Sequence, residues 1–141
     1  MAPVSGVFML KPFHRPRLWW GLWLLAVTGV VVLSLVNVSG LPPVPEGGDK
    51  VEHFLAYALL SASAMQLFAT RRGCMVVAAL LIALGVGLEF AQGALTATRM
   101  ADPRDALANT LGVLAGLSTL FTPLRDMLLA FDTRLRPRRA S

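Results

Sequence analysis

The sequence predicts an all-α membrane protein with four transmembrane helices, both termini cytoplasmic, and a C-terminal interfacial amphipathic helix. Three observations carry this. First, 55% of the 141 residues are apolar, only 15% are charged and the mean hydropathy is +0.64, which is too apolar for a small water-soluble domain. Second, the chain has four runs nearly free of charge: Leu18 to Pro45, His53 to Thr70, Gly73 to Thr98 with Glu89 as its one exception, and Ala106 to Leu124. Each approaches the about 20 helical residues that cover a hydrocarbon core. Third, ten of the thirteen Lys and Arg residues lie before the first run, at Arg71 and Arg72, or after the last run. The positive-inside rule therefore puts those segments in the cytoplasm, and in a bacterium the first and third connections face outward across the inner membrane. The high pI of about 10.7 then reports membrane orientation; no nucleic-acid partner is expected.

Taken in order, residues 1–17 carry Pro3, Pro12 and Pro16 without periodicity and read as a cytoplasmic tail. Helix one, about 18–38, is too long an apolar run for a cleaved signal peptide. Its Trp19, Trp20 and Trp23 suit the headgroup layer. Gly40 to Gly48 holds three prolines, which break the helical ladder and make an outer loop. Helix two, about 49–69, opens at Asp49, where a carboxylate suits the N-terminal amides. Arg71 and Arg72 form a tight turn into helix three, about 73–95, which carries Gly85, Glu89 and Gln92, with Thr96 beyond, along one stripe. Asp102, Pro103, Arg104 and Asp105 then combine a cap, a first-turn proline and a third-position acid, a strong start for helix four, about 103–122. Pro123 ends it.

The transmembrane domain is thus 18–123, and 124–141 is a basic amphipathic tail. Leu124, Met127, Leu128, Phe131 and Leu135 share its apolar face, with Arg125, Asp126, Asp132, Arg134 and Arg136 opposite. A single cysteine, Cys74, excludes an intramolecular disulfide and any multi-thiolate metal site.

Counting depth shows which polar residues can meet. Helix three enters from the cytoplasm, so Glu89 lies about 24 Å along it, in the outer third of a core of about 30 Å. His53 and Tyr57 lie about 5 and 10 Å in from the outer side on helix two, and Asn109 about 9 Å in on helix four. His53, Tyr57, Glu89, Gln92, Asp105 and Asn109 therefore share a depth, and Arg99 and Asp102 in the third connection can close over them. A charged carboxylate facing lipid costs about 2.5 kcal/mol or more, so Glu89 should face the bundle interior. Gly112 and Gly116 lie one turn apart on helix four, and Gly85 lies on helix three; these small residues permit close helix approach.

Three motifs, DKVEHFLAY at Asp49 to Tyr57, EFAQ at Glu89 to Gln92 and RMADPRDALANTLGVLAG at Arg99 to Gly116, resemble the VanZ-like family of small bacterial membrane proteins. They cover the middle half of the chain. The stretch LTAT before Arg99 departs from the Pro and Gly expected of many members. The resemblance implies a four-helix layout and a link to teicoplanin-type glycopeptide resistance or envelope stress; it names no reaction.

Two function classes follow. In the first, the chain binds or processes an anionic lipid or lipid-linked envelope precursor at the outer leaflet. Lys50 and Arg99 then hold phosphate, with Gln92, Asn109, Asp49, Tyr57 and Asp102 around the substrate, while His53, Glu89 or Asp105 moves a proton. In the second, it is a noncatalytic module that assembles through the Gly112 and Gly116 face, as a homo-oligomer or with envelope machinery. No cofactor and no metal are expected: Asp, His and Glu are present, but no helix carries two of them in a strong metal-binding motif.

Overall fold

The computed structural model describes residues 6–36, 47–95 and 101–135. Arg99, Thr96 and most of the proline-rich loop lie outside the described residues. The architecture is a helical bundle: α1 (Pro16–Leu35), α2 (Gly48–Leu67), α3 (Arg71–Leu95), α4 (Pro103–Ser118) and α5 (Met127–Arg134), with two short 3-10 turns between α4 and α5. The helix starts follow local chemistry. Asp102 caps α4, its Oδ1 accepting from the Arg104 amide at 2.9 Å, with Pro103 in the first turn. The α2 start differs from expectation: the cap is Gly47, at φ +79, and Asp49 lies inside the first turn. A left-handed backbone at that position favours glycine. Helix α3 also begins early, because the Thr70 hydroxyl accepts from the Gly73 amide at 3.0 Å; Arg71 and Arg72 are its first residues, not a turn before it.

Helix α2 is the hub, touching α1, α3, α4 and α5. Its closest neighbour is α4, as the two glycines predict. A Cβ at Gly112 would stand 2.3 Å from the Phe54 carbonyl oxygen, and one at Gly116 would stand 2.5 Å from both the Ala58 oxygen and the Ser61 Cβ. Ser61 donates across this seam to the Val113 carbonyl at 2.8 Å. The small-residue face of α4 is therefore covered within the chain, which removes the surface that assembly through Gly112 and Gly116 would need. Gly85 opens room of a different kind: a Cβ there would meet Asn109 and the Tyr57 ring at 3.0 and 3.1 Å.

The bundle is apolar on its outside as well as in its core, and it buries several polar side chains. Leu25, Leu59, Phe90, Leu95 and Phe121 are each at least two-thirds exposed, whereas Ser61, Glu89, Gln92 and Asn109 are buried. No residue of α1 is buried at all. Such a surface suits a hydrocarbon solvent. On length and composition two helices, α1 and α3, can cross a membrane, and a third crossing is possible if the pair Pro103–Phe121 and Pro123–Arg134, bent by 84°, counts as one broken span. Helix α2 falls short because Asp49, Lys50, Glu52 and His53 fill its first turns. Helix α4 has only 16 residues, about 24 Å at 1.5 Å per residue.

Residues 6–15 and 124–135 are more structured than their sequences indicate. The N-terminal segment is not a free tail: Leu10 pairs with Phe68 in an antiparallel bridge, Phe13 and Lys11 are buried, and the Lys11 ammonium binds the Arg125 carbonyl and, at 2.9 Å, the Asp126 carboxylate. Asp132, placed on the polar face by helical spacing, is completely buried. It accepts from the Trp19 indole at 2.7 Å and from the His14 amide. Burial pushes its pKa up, but the Trp19 indole and the His14 and Arg15 amides more than offset this and hold the carboxyl below the usual range. Trp20 and Trp23 stack on each other and meet Phe68 edge-on. The tryptophans thus serve internal packing. These contacts gather residues 6–15, α5 and the α2–α3 turn at one end of the bundle.

Candidate functional site

The opposite end holds the polar residues singled out by depth. Its construction follows from where each helix starts or stops. The first three turns of α2 supply Lys50, His53 and Tyr57, the last two turns of α3 supply Glu89 and Gln92, and the capped start of α4 supplies Asp102, Asp105 and Asn109. A cleft of ≈ 640 Å³ opens here, lined by His53, Tyr57, Gln92, Asp102 and Asp105 and closed on one side by Val30, Leu33 and Ser34 of α1.

His53 is the centre of the cluster. Its Nδ1 lies 3.0 Å from the Asn109 side-chain oxygen and 3.8 Å from Glu89 Oε1, while its Nε2 lies 3.9 Å from Asp105 Oδ2. The Asn109 contact fixes the ring between the two carboxylates. Glu89 is buried, and neither of its carboxylate oxygens has a hydrogen-bond partner among the described residues. The Tyr57 hydroxyl is also buried without a partner among the described residues. Buried acceptors are normally satisfied, so three such oxygens within one small region mark a place organised for something other than packing.

Lys50 is not a free phosphate-binding cation. Its ammonium contacts Asp49 at 3.0 Å and Asp102 and Asp105 at 3.2 Å each. At the α4 cap, the Arg104 amide and, against the effect of burial, the Lys50 ammonium hold the Asp102 carboxyl below the usual carboxylate range. Gln92 lines the cleft and donates to the Ser34 carbonyl at 2.8 Å, tying α3 to α1. Of the residues expected here, the structure brings together Asp49, Lys50, His53, Tyr57, Glu89, Gln92, Asp102, Asp105 and Asn109. Arg99 lies outside the described residues.

Two contributors escaped the sequence reading. Glu52 lines the cleft, and its spacing of three from Asp49 could have revealed it. The α1 wall could not be anticipated, since nothing in an unbroken apolar run marks Ser34 as the acceptor for Gln92. An Asp, His and Glu metal site is only a minor reading of the sequence, because His53, Glu89 and Asp105 sit on three different helices and form no motif. Folded, they offer one ligand atom each, all within 4.8 Å of one another. No protein-family model, curated protein or solved structure matches the chain, and the site is read from its own geometry.

Proposed function

We propose that the chain is a VanZ-like integral membrane protein of the bacterial cytoplasmic membrane, crossing it four times with both termini inside. In this reading it binds or processes an anionic lipid or lipid-linked cell-envelope precursor at the outer leaflet. The observation that carries the proposal is the convergence of His53, Glu89 and Asp105 beside a cleft in a bundle whose outer surface is apolar. Ionisable groups are expensive in a membrane and concentrate where ions, protons or substrates are handled. A headgroup entering the cleft competes for Lys50 with Asp49 and Asp102, whose side chains are 49% and 38% exposed and so the more easily displaced of its three partners. Arg99 is the proposed second cation. His53, set between two carboxylates, is suited to move a proton. The link to glycopeptide resistance or envelope stress rests on the motif resemblance.

Glu89→Gln and Asp105→Asn should each abolish function in an envelope-stress or teicoplanin-sensitivity complementation assay while protein level and helical content stay intact. Normal complementation by both variants would rule the site out. Assembly through the α4 glycines is the weaker alternative, because α2 already occupies that face.

A further inference from the structure

Five carboxylates lie in or beside the cleft: Asp49, Glu52, Asp102 and Asp105 line it, and Glu89 stands behind His53. Lys50 reaches Asp49, Asp102 and Asp105. Glu89 lies deeper, 4% exposed, with both oxygens unpartnered among the described residues and its Oε1 aimed at the His53 ring 3.8 Å away. A buried carboxylate without donors needs either a proton or a cation. A cation has ligands waiting for it: one imidazole nitrogen and two carboxylate oxygens, contributed by α2, α3 and α4, within 4.8 Å of one another.

We propose that His53, Glu89 and Asp105 bind a divalent first-row transition-metal ion of the Zn2+ or Mn2+ type at the floor of the cleft. The donor set argues for this class. One imidazole with two carboxylates suits Zn2+, Mn2+ or Fe2+, whereas Mg2+ and Ca2+ prefer oxygen alone. Two carboxylates and a neutral imidazole also balance a divalent charge, which matters in a bundle with an apolar exterior. Ligands about 2.0–2.2 Å from one ion lie about 3.3–3.5 Å apart. Nδ1 faces the Asn109 oxygen, which can only accept, so Nε2 is the imidazole's ligand atom; it stands 3.9 Å from Asp105 Oδ2, and side-chain rotation brings the Glu89 carboxylate, which lies nearer Nδ1, onto the same ion. Asn109, 3.0 Å from Nδ1, steadies the ring in the manner of groups that orient metal-bound histidines. His53 and Asp105 also line the cleft, which gives the ion a face toward anything bound there. Metal binding shares the site of the headgroup proposal but does not depend on it.

The test uses the full chain purified in detergent and in lipid nanodiscs, stripped with chelator and then titrated with Zn2+ or Mn2+ alone. The expected result is one equivalent per chain by elemental analysis, with nitrogen hyperfine coupling from one imidazole in the Mn2+ spectrum of the unmutated protein. His53→Ala, Glu89→Gln and Asp105→Asn should each weaken binding by more than the about 10- to 100-fold typical of losing a group that only orients a ligand. Asp126→Asn, at the opposite end of the bundle beside Lys11, should keep the full equivalent. A folded chain that takes up no metal, an Mn2+ spectrum lacking nitrogen coupling, or undiminished binding by Glu89→Gln overturns the proposal. Metal bound at one equivalent with no anionic lipid retained would refute the headgroup reading and leave this one standing.

Discussion

Replacing Gly112 by alanine tests how helix packing sets the site. The new Cβ would lie 2.3 Å from the Phe54 carbonyl oxygen and 3.0 Å from the Ala58 nitrogen. Both neighbours are backbone atoms of α2, so no rotamer change can relieve the contact. Restoring even a 3.0 Å separation parts α2 and α4 by at least about 0.7 Å. His53 adjoins Phe54, and Asn109 lies one turn before Gly112, so their 3.0 Å contact stretches to about 3.7 Å, beyond hydrogen-bonding range. Overpacking costs about 1–3 kcal/mol and a lost hydrogen bond about 0.5–1.5 kcal/mol, against a gain in helix propensity of about 1 kcal/mol. The net expectation is a loss of about 2 kcal/mol. Gly87→Ala is the control, since nothing lies within 4 Å of its added Cβ, and it should be neutral or stabilising by up to about 1 kcal/mol. Reversible unfolding in mixed micelles, followed by far-ultraviolet circular dichroism, measures both. Equal stabilities for the two variants would refute the packing argument.

Other expectations concern the seam and the docked ends. Ser61→Ala removes the interhelical bond to the Val113 carbonyl and should cost about 0.6 kcal/mol in the same assay, rising to no more than about 1.7. Asp132 has a folded-state pKa below its ordinary value, so its contribution to end docking is fully present above the unfolded carboxylate value of about 3.9 and lost as pH falls through the folded value. Docking, read by Trp19 fluorescence, should be constant from neutral pH down to about 5 and should fail below about 4. Asp132→Asn should weaken docking at neutral pH and flatten this acid limb; an unchanged acid limb would show that another group controls it.

The parts of the fold legible in the sequence were those governed by short-range chemistry. Asp102-Pro103 announces its helix through capping alone, and Pro123 marks the 84° break. The site was legible because helical rise converts residue number into depth, and His53, Glu89, Asp105 and Asn109 do meet. What spacing could not supply was azimuth between helices. Asp132 sits on the polar side of an isolated amphipathic helix, yet the start of α1 packs over that side and provides the donors that make burial tolerable. Likewise Lys50 looks like a free cation until α4 brings Asp102 and Asp105 against it. The docking of residues 6–15 combines backbone pairing with Leu67 and Ala69 with contacts to the distant Asp126 and Asp132, which no local side-chain pattern announces.

The central claim is that the cleft end of the bundle faces outward and the docked chain ends face the cytoplasm. Thiol labelling of single-cysteine variants in a Cys74→Ala background measures this directly, using a membrane-impermeant maleimide on right-side-out spheroplasts. Glu52, at the cleft, and Arg72, at the other end, are both exposed. The account predicts that Glu52→Cys is labelled in intact spheroplasts and Arg72→Cys only after the membrane is opened. Labelling of Arg72→Cys from outside, with Glu52→Cys protected until lysis, would contradict it.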